Sequence, residues 1–350
     1  MSEQGGTTQV RANARFDVAA LERWMGANVP GFRGPLSVEQ FAGGQSNPTF
    51  KLTAPSGRYV MRRKPAGQLL KGAHAVDREA RVMRALESAG FPVPHVHALC
   101  TDDTVIGSWF YVMDMVEGRI FWDGSFPGVD AEQKRAHQDA MGATLAALHG
   151  FDPEAIGLGD YGRPGRYLQR QIDRWSRQYR EDTLAGATAD LDFLVEWLPE
   201  HAPENEETRV VHGDFRIDNM IFHPSEPRVI AVLDWELSTL GHPLVDFTYN
   251  LMMYRVPGTI PWGLADRDLA ALNLPSEAEY VAAYCERTGR ARIDHLDVYI
   301  VFNLFRLAAI IHGIKGRMLR GNASSPDAAA MVANMDILAA IARRIAEDMG

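Results

Sequence analysis

The sequence predicts an α+β protein built as two lobes, and three observations predict it. Strand-like runs are concentrated before residue 117. Helical periodicity dominates after it, interrupted by three short strands. The chain has 350 residues, more than one compact core usually holds. The boundary is drawn between an N-terminal, strand-rich lobe of residues 1–116 and a mostly helical lobe of residues 117–350.

Taken in order, Met1–Ala14 is polar and Gly-rich and reads as a frayed end. FDVAALERWMGANVPGF reads as a short amphipathic helix stopped by Gly and Pro. LSVEQFAGGQSNPTFKLTAPSGRYVMRRKP reads as two or three strands that turn at GGQSN and APSG. HAVDREARVMRALESAG has apolar residues at helical spacing and a terminal Gly. VPHVHALCTDDTVIGSWFYVMDMVEG reads as two more strands with a turn at TDDTVIG. These pieces make a small antiparallel sheet with one long helix, ending near Val116. Beyond it, AEQKRAHQDAMGATLAALHGF, GRYLQRQIDRWSRQYRE and TADLDFLVEWLPEH are helical, whereas RVVHGD, NMIFHP and RVIAVLD are short strands. From Leu244 onward the chain is largely helical again, with no internal repeat and no low-complexity segment. A cleft where two such lobes meet is a favoured place for a ligand.

Bulk properties narrow the function classes. A net charge of -9 argues against sequence-independent nucleic-acid binding, which needs a basic footprint, but leaves room for a local basic pocket. Two cysteines, Cys100 and Cys285, stand far apart outside any metal or redox spacing. They read as buried free thiols in a reducing compartment. The N-terminus lacks an apolar signal core, and no apolar run reads as long enough to span a bilayer. The expectation is a cytoplasmic protein with no membrane partner.

Two stretches carry the functional information: VVHGDFRIDNMIF (Val210–Phe222) and RVIAVLDWELSTLGHPLVDF (Arg228–Phe247). Asp214, Asn219 and Asp234 read as one site. Phosphoryl transfer needs magnesium held against phosphates and a carboxylate near the attacking hydroxyl. Magnesium takes oxygen ligands, often one or two carboxylate or amide oxygens completed by phosphate and water; Asn219 and Asp234 are of that kind. Asp214, after a Gly that permits a tight turn, can accept a hydroxyl proton. The five-residue step from Asp214 to Asn219 is the Asp-to-Asn spacing of the protein-kinase catalytic loop, and Asp234 corresponds to the Asp of D-F-G, with Trp235-Glu236 in place of Phe-Gly.

On these paired motifs the chain resembles the aminoglycoside phosphotransferase and choline kinase-like family, small-molecule kinases on the protein-kinase fold. The resemblance runs from about Leu36 to the C-terminus. GGQSNPTFKL, HAVDREARVMRAL and NLFRLAAIIHGIKGRMLRGNAS are most similar to the branch found fused to acyl-CoA dehydrogenase domains. The resemblance implies ATP and Mg2+ as cofactors, Asp214 as catalytic base, Asn219 and Asp234 as magnesium ligands, and His212 as a brace of the catalytic loop. It makes Asp246 a structural helix-capping residue. In the first lobe it places Gly43, Gly44, Gln45, Ser46 and Asn47 in a phosphate-covering turn, with backbone N–H groups toward the phosphates. Val60 would pack on adenine, and Arg62 would stand where a kinase has its phosphate-binding Lys, paired with Glu79. Arg is a departure there, since the two cations are not interchangeable, and Arg63 and Lys64 are neighbouring candidates. Asp114 and Met115 would offer backbone groups to the adenine edge. Glu236 either meets a second magnesium or faces solvent.

The reading is an ATP- and magnesium-dependent kinase for a hydroxyl of a small molecule. No activation loop or A-P-E motif is evident, which argues against a protein substrate. Arg306, Lys315, Arg317 and Arg320 recur along one C-terminal helix. Arg306 and Arg317 are taken as candidate ligands for an acidic acceptor such as a hydroxyacyl-CoA, with a link to acyl-CoA metabolism. Three alternatives stand beside it. They are an aminoglycoside or amino-alcohol kinase, a metal-dependent hydrolase using His212, Asp214, Asp234 and His242, and a nucleotide-binding module without turnover.

Overall fold

The computed structural model describes residues 6–42, 47–65, 75–204, 207–321 and 328–349. The chain divides into two compact units. The first comprises residues through Gly118 together with Ile230–Leu237, and the second comprises Arg119–Val229 and Ser238 onward. The segment Ile230–Leu237, assigned from sequence to the second lobe, thus counts with the first.

The first unit is a six-stranded antiparallel sheet in the order β1-β2-β3-β4-β6-β5. Its strands are β1 (Thr7–Thr8), β2 (Ser37–Phe41), β3 (Thr49–Ala54), β4 (Gly57–Arg63), β5 (Val96–Cys100) and β6 (Phe110–Asp114). The polar N-terminal stretch is therefore not wholly frayed: Thr7 and Thr8 pair with Phe41 and Gln40, and the Thr7 hydroxyl donates to Glu39 at 2.8 Å. Alternation along β3 and β4 sends Phe50, Leu52 and Met61 into a core with Phe110 and Val112. Helix α1 (Val18–Asn28) covers that core with Leu21 and Met25, four residues apart, and begins on an Asp17 cap whose side chain accepts from Ala20 N. Helix α2 (Val76–Ser88) buries Val76, Ala80 and Met83 at helical spacing. The expected turn before β6 contains a one-turn helix, α3 (Asp103–Ile106), capped by Asp102 and closed by Gly107 in the left-handed region.

The returning segment Ile230–Leu237 is tied into this unit. Val232 N donates to Pro92 O at 2.9 Å, and Trp235, 1% exposed, sits edge-on to Phe91 with ring centroids 5.9 Å apart.

The second unit is helical: α4 (Ala131–Gly150), α5 (Tyr167–Glu181), α6 (Ala189–His201), α7 (Pro243–Leu251), α8 (Glu277–Thr288), α9 (Leu296–Leu319), α10 (Ala328–Ala333) and α11 (Met335–Asp348). Strands β7 (Arg209–Val211), β8 (Met220–Phe222), β9 (Val229–Val232) and β10 (Thr239–Gly241) complete the fold. β7 and β10 form an antiparallel ribbon with Val211 opposite Thr239. Helix α9 is the centre of the unit, in contact with α5, α6, α7, α10 and α11. By length and composition α9 is apolar enough to cross a membrane, contrary to the sequence reading. However, 78% of its apolar window is buried inside the protein, as for a core helix surrounded by other helices.

Candidate functional site

The first unit gathers one cation and three carboxylates. Arg62, on β4 opposite Tyr111 of β6, is 11% exposed in its side chain. Its Nε lies 2.9 Å from Glu79 Oε2, close enough for an ion pair but not aligned as a hydrogen bond. Its Nη2 donates to Asp234 Oδ1 at 2.7 Å and to Glu236 Oε2 at 3.0 Å. Glu79 is 1% exposed; it also accepts from Asn47 Nδ2 at 2.7 Å and from the Tyr111 hydroxyl at 3.0 Å.

Acid outnumbers base here, and the proton affinities reflect it. Burial opposes the charge of Arg62, but Asp234, Glu79 and Glu236 raise its affinity for its proton above the ordinary value. Burial, reinforced by Asp234 and Glu236 and opposed by Arg62, pushes Glu79 up to about 7. Asp234 adopts a left-handed backbone, φ 64°, a strained conformation for a non-Gly residue. Its side chain is 34% exposed.

This geometry settles which basic residue joins the cluster. Arg63 points to the other face of β4, as strand alternation requires. It is 3% exposed and packs over the rings of Phe16 and Phe50 at 5.3 and 5.7 Å. Lys64 lies over Trp109 at 3.9 Å and 3.6 Å from Asp77. Asn47 is buried and turned to Glu79, so its side chain is committed inward; Gly43, Gly44, Gln45 and Ser46 lie outside the described residues. Val60 is 8% exposed and pairs with Met113. Asp114 donates its N–H to His95 O at 2.9 Å, so that backbone group, among those expected to serve the adenine edge, is already engaged. Only its carbonyl remains for an adenine edge, beside the backbone of Met115.

The second unit holds the other half of the motifs. β7 runs into His212, Gly213 (φ 82°) and Asp214, and a 3-10 turn over Ile217–Asn219 leads into β8. Asp214 is grasped from three directions. Tyr249 OH donates to its Oδ1 at 2.7 Å, Arg216 Nε stands 3.2 Å from the same oxygen, and Asn219 Nδ2 donates to Oδ2 at 3.1 Å. Asn219 Nδ2 also donates to the Asp214 carbonyl at 2.9 Å. Burial opposes ionisation of Asp214, but Arg216, the Tyr249 hydroxyl, His212 and Arg306 together hold it below the usual carboxylate value.

The loop itself is anchored from beneath. The backbone N–H groups of His212 and Gly213 donate to Asp246 at 2.7 and 2.8 Å, and His149 Nε2 lies 3.3 Å from Asp246 Oδ2. His212, wholly buried, accepts the Asp214 N–H on Nδ1 at 3.2 Å. The sequence made Asp246 a helix cap, but the cap of α7 is His242, whose Nδ1 accepts from Leu244 N. Asp246 stands one turn further in and caps the catalytic-type loop instead.

Arg306 also departs from expectation. It is 5% exposed, donates through Nη2 to Gly213 O at 2.6 Å and lies over the Tyr249 ring at 5.1 Å. A buried Arg needs such partners, so it supports the loop and does not face an acceptor. Arg317 is exposed, Lys315 half-buried, and Arg320 is paired with Asp182 at 2.6 Å. The four basic residues therefore do not form one acceptor surface.

Sequence reading missed Tyr249, Arg216 and Asn250, whose Nδ2 donates to Phe215 O at 3.2 Å. A signal was present. Asp246, Tyr249 and Asn250 are polar residues at i, i+3 and i+4 within an apolar helix, hence on one face. All three turn to the same loop. The metal-hydrolase alternative gains nothing, since among the described residues no group of three or more His, Cys, Asp or Glu is placed to hold a metal.

Comparison with known proteins accords with this arrangement. The profile of the phosphotransferase enzyme family (APH) matches residues 37–294. Acyl-CoA dehydrogenase family member 11 of Gallus gallus is 44% identical over 93% of this chain, which spans 43% of that protein's length. Family member 10 of Mus musculus is 42% identical over 92% of this chain, which spans 30% of its length. A crystal structure from Ralstonia eutropha, assigned to the aminoglycoside phosphotransferases, is 48% identical, covers 95% of this chain and 99% of its own, and superposes with a TM-score of 0.86. The aminoglycoside phosphotransferase APH(4)-Ia, solved with ADP and hygromycin B, shares the fold at 16% identity and a TM-score of 0.60, covering 93% of this chain and 98% of its own. The chain thus belongs to the phosphotransferase enzyme family, with the kinase-like α+β fold of the small-molecule kinases.

Proposed function

We propose that the chain transfers the γ-phosphate of ATP to a hydroxyl of a small molecule. The observation that carries the reading is the setting of Asp214. Its carboxylate is kept ionised and aimed by Tyr249, Arg216 and Asn219, on a loop whose backbone is pinned by Asp246 and Arg306. A carboxylate so held can accept the proton of an attacking hydroxyl, and its fixed orientation supplies the positioning that phosphoryl transfer chiefly demands.

The donor set fits magnesium. Asn219 spends its amide nitrogen on Asp214, which leaves its amide oxygen for a ligand, and Asp234 gives Arg62 one carboxylate oxygen and keeps the other. Oxygen-only donors suit a hard cation. Magnesium, when bound, would neutralise phosphate charge. Arg62, flanked by Glu79, would meet phosphate oxygens, Val60 would lie against adenine, and Asp114 O and the Met115 backbone would meet its edge. The ADP in the APH(4)-Ia complex supports the choice of nucleotide.

Beside Arg216 and Tyr249 the side chains of Met141, Phe215, Met253 and Trp262 wall a gap of about 20 Å³, room for a single water. An apolar wall next to the base suits a hydroxyl carried on an aliphatic chain better than the polycationic aminoglycosides, which call for acidic walls. The relatives are named as acyl-CoA dehydrogenase family members, in keeping with an acceptor of the hydroxyacyl-CoA kind.

The test is ADP release with magnesium across sugars, amino alcohols, aminoglycosides and hydroxyacyl-CoA thioesters, on wild type and Asp214→Asn. Acceptor-dependent release that falls about 10²–10⁴-fold in the variant is expected. Equal turnover in the variant would remove Asp214 from the mechanism. One specific observation favours a second reading: Arg62 is already engaged by three carboxylates. ATP binding without transfer to any acceptor is the outcome that selects a nucleotide-binding module.

A further inference from the structure

Away from the motifs, the loop before α5 and its first turns enclose a cavity of about 340 Å³ lined by Arg163, Pro164, Gly165, Arg166, Gln169, Arg170 and Asp173. Three guanidiniums face it against one carboxylate, in a chain whose net charge is -9. Several arginines elsewhere in this unit have acidic partners, although Arg306 is held by a carbonyl and a ring. Arg180 pairs with Glu196, Arg209 and Arg290 with Glu207, Arg320 with Asp182 and Arg343 with Asp190.

The cavity arginines differ. Arg170 donates to backbone carbonyls, those of Gly165 and Arg163. Arg163 and Arg166 are exposed and make no ion pair among the described residues. The one acid, Asp173, accepts from Gln169 at 3.2 Å. Burial, and then the nearby charges of Arg163 and Arg166, hold Arg170 below its ordinary affinity for its proton. Like charges have been brought together with no ion pair to an acid among the described residues, an arrangement that costs free energy unless an anion relieves it.

The cavity is also firmly founded. Gly165 N donates to Thr208 Oγ1 at 3.4 Å, just before β7. Tyr167, 8% exposed, packs so closely on Gly241 that a Cβ there would meet its ring at 3.0 Å. The cavity thus rests on the β7–β10 ribbon, and five residues separate Thr208 from Asp214, a span of about 20 Å at most.

We propose that this cavity is an anion site for a phosphate group, in which Arg163 and Arg166 supply charge-assisted hydrogen bonds and Arg170, fixed by its two carbonyls, supplies the rear wall. Guanidinium forks match phosphate oxygens two at a time, and the volume admits one or two phosphates with their water. The site is separate from the phosphotransfer reading and stands or falls without turnover.

The experiment is titration calorimetry of the full chain, without magnesium, at low ionic strength. The probes are inorganic pyrophosphate and phenyl phosphate. The proteins are wild type, Arg163→Ala/Arg166→Ala, and the charge-keeping Arg163→Lys/Arg166→Lys. Both side chains are exposed, so all three proteins should melt alike, which a thermal scan checks. The site predicts saturable pyrophosphate binding that weakens about tenfold per guanidinium lost, is partly restored by Lys, and weakens with added salt. Cavity-dependent binding of phenyl phosphate as well assigns the site to phosphate esters; binding of pyrophosphate alone assigns it to the free anion. No binding by wild type, or equal affinity in the Ala double variant, overturns the proposal.

Discussion

Replacing Asp246 should do more damage than replacing any other carboxylate in the second unit. Its side chain is 1% exposed, and two backbone donors, His212 N and Gly213 N, end on it. In Asp246→Ala both N–H groups stay buried without an acceptor, since the loop is held above by Arg306 on Gly213 O. Each stranded donor costs about 1–3 kcal/mol, so the loss for the two should be about 2–6 kcal/mol. For a unit of this size that corresponds to a fall of roughly 4–24 °C in melting temperature. Asp246→Asn keeps the shape but turns an NH2 toward a donor, and should recover less than half of the loss. Scanning calorimetry of the three proteins reads this directly. pH adds a sign. Burial opposes ionisation of Asp246, but the hydrogen bonds from His149 and from the His212 backbone hold its carboxyl below the ordinary 3.8. Its contribution is therefore present above that value and is lost as the pH falls below it. A loss under about 1 kcal/mol in Asp246→Ala, or an Asn variant as stable as wild type, would refute the reasoning.

Glu79 carries the opposite sign. Raised from 4.5 to about 7, it favours the folded state below 4.5, and that contribution fades as the pH rises through 7, on the order of 3 kcal/mol; Glu79→Gln should flatten the wild-type decline over that window in urea titrations. His242 is lowered by burial from 6.5 to about 4, so its contribution is present above 6.5 and lost as the pH falls through 4. His242→Asn, which keeps a capping acceptor for Leu244 N, should remove that acid sensitivity while leaving the neutral-pH melting temperature within a few degrees, as circular dichroism melts will tell. Arg62→Lys cannot reach three acids at once and should lower stability by about 2–4 kcal/mol. Adding Glu236→Gln should return more than about 1 kcal/mol of it, and strict additivity of the two changes would contradict the cluster.

The fold was legible because its signals are local. Alternation in SVEQF, TFKLTA and GRYVMRR and the apolar spacing of VDREARVMRAL determine which faces are buried, and those patterns survive in any register. Short features were less legible. Thr7–Thr8 has no pattern of its own and is a strand only because β2 offers an open edge. The apolar surface of α9 looks like a membrane span or a core helix alike until its neighbours are known. Asp214, Asn219 and Asp234 stood out by spacing, whereas Tyr249, Arg216 and Asn250 did not, because their meaning depends on where α7 is aimed. The same limit explains Asp246 and Arg306. Sequence marks a buried charge as needing a partner but cannot say that the partner is the backbone of a loop more than thirty residues upstream for Asp246 and still farther for Arg306.

The Arg at position 62 follows from the acids around it. A Lys ammonium is a point charge that satisfies one or two carboxylates at a time, whereas a guanidinium presents donors on separate edges. Here one edge faces Glu79 and another is divided between Asp234 and Glu236. The third acid, Glu236, stands where the kinase motif has Gly. The two departures from the kinase pattern, Arg for Lys and Glu for Gly, therefore compensate one another: the additional carboxylate requires a cation that can branch, and the branched cation requires the additional carboxylate to use its second edge. Burial, and then the surplus of negative charge from Asp234 and Glu236, makes Glu79 retain a proton more readily than an exposed Glu would. The same surplus of negative charge leaves the cluster receptive to a further cation. Arg62 thus belongs to the electrostatic design of this site as a unit, and exchanging it alone for the Lys of other kinases should impair the site instead of restoring it.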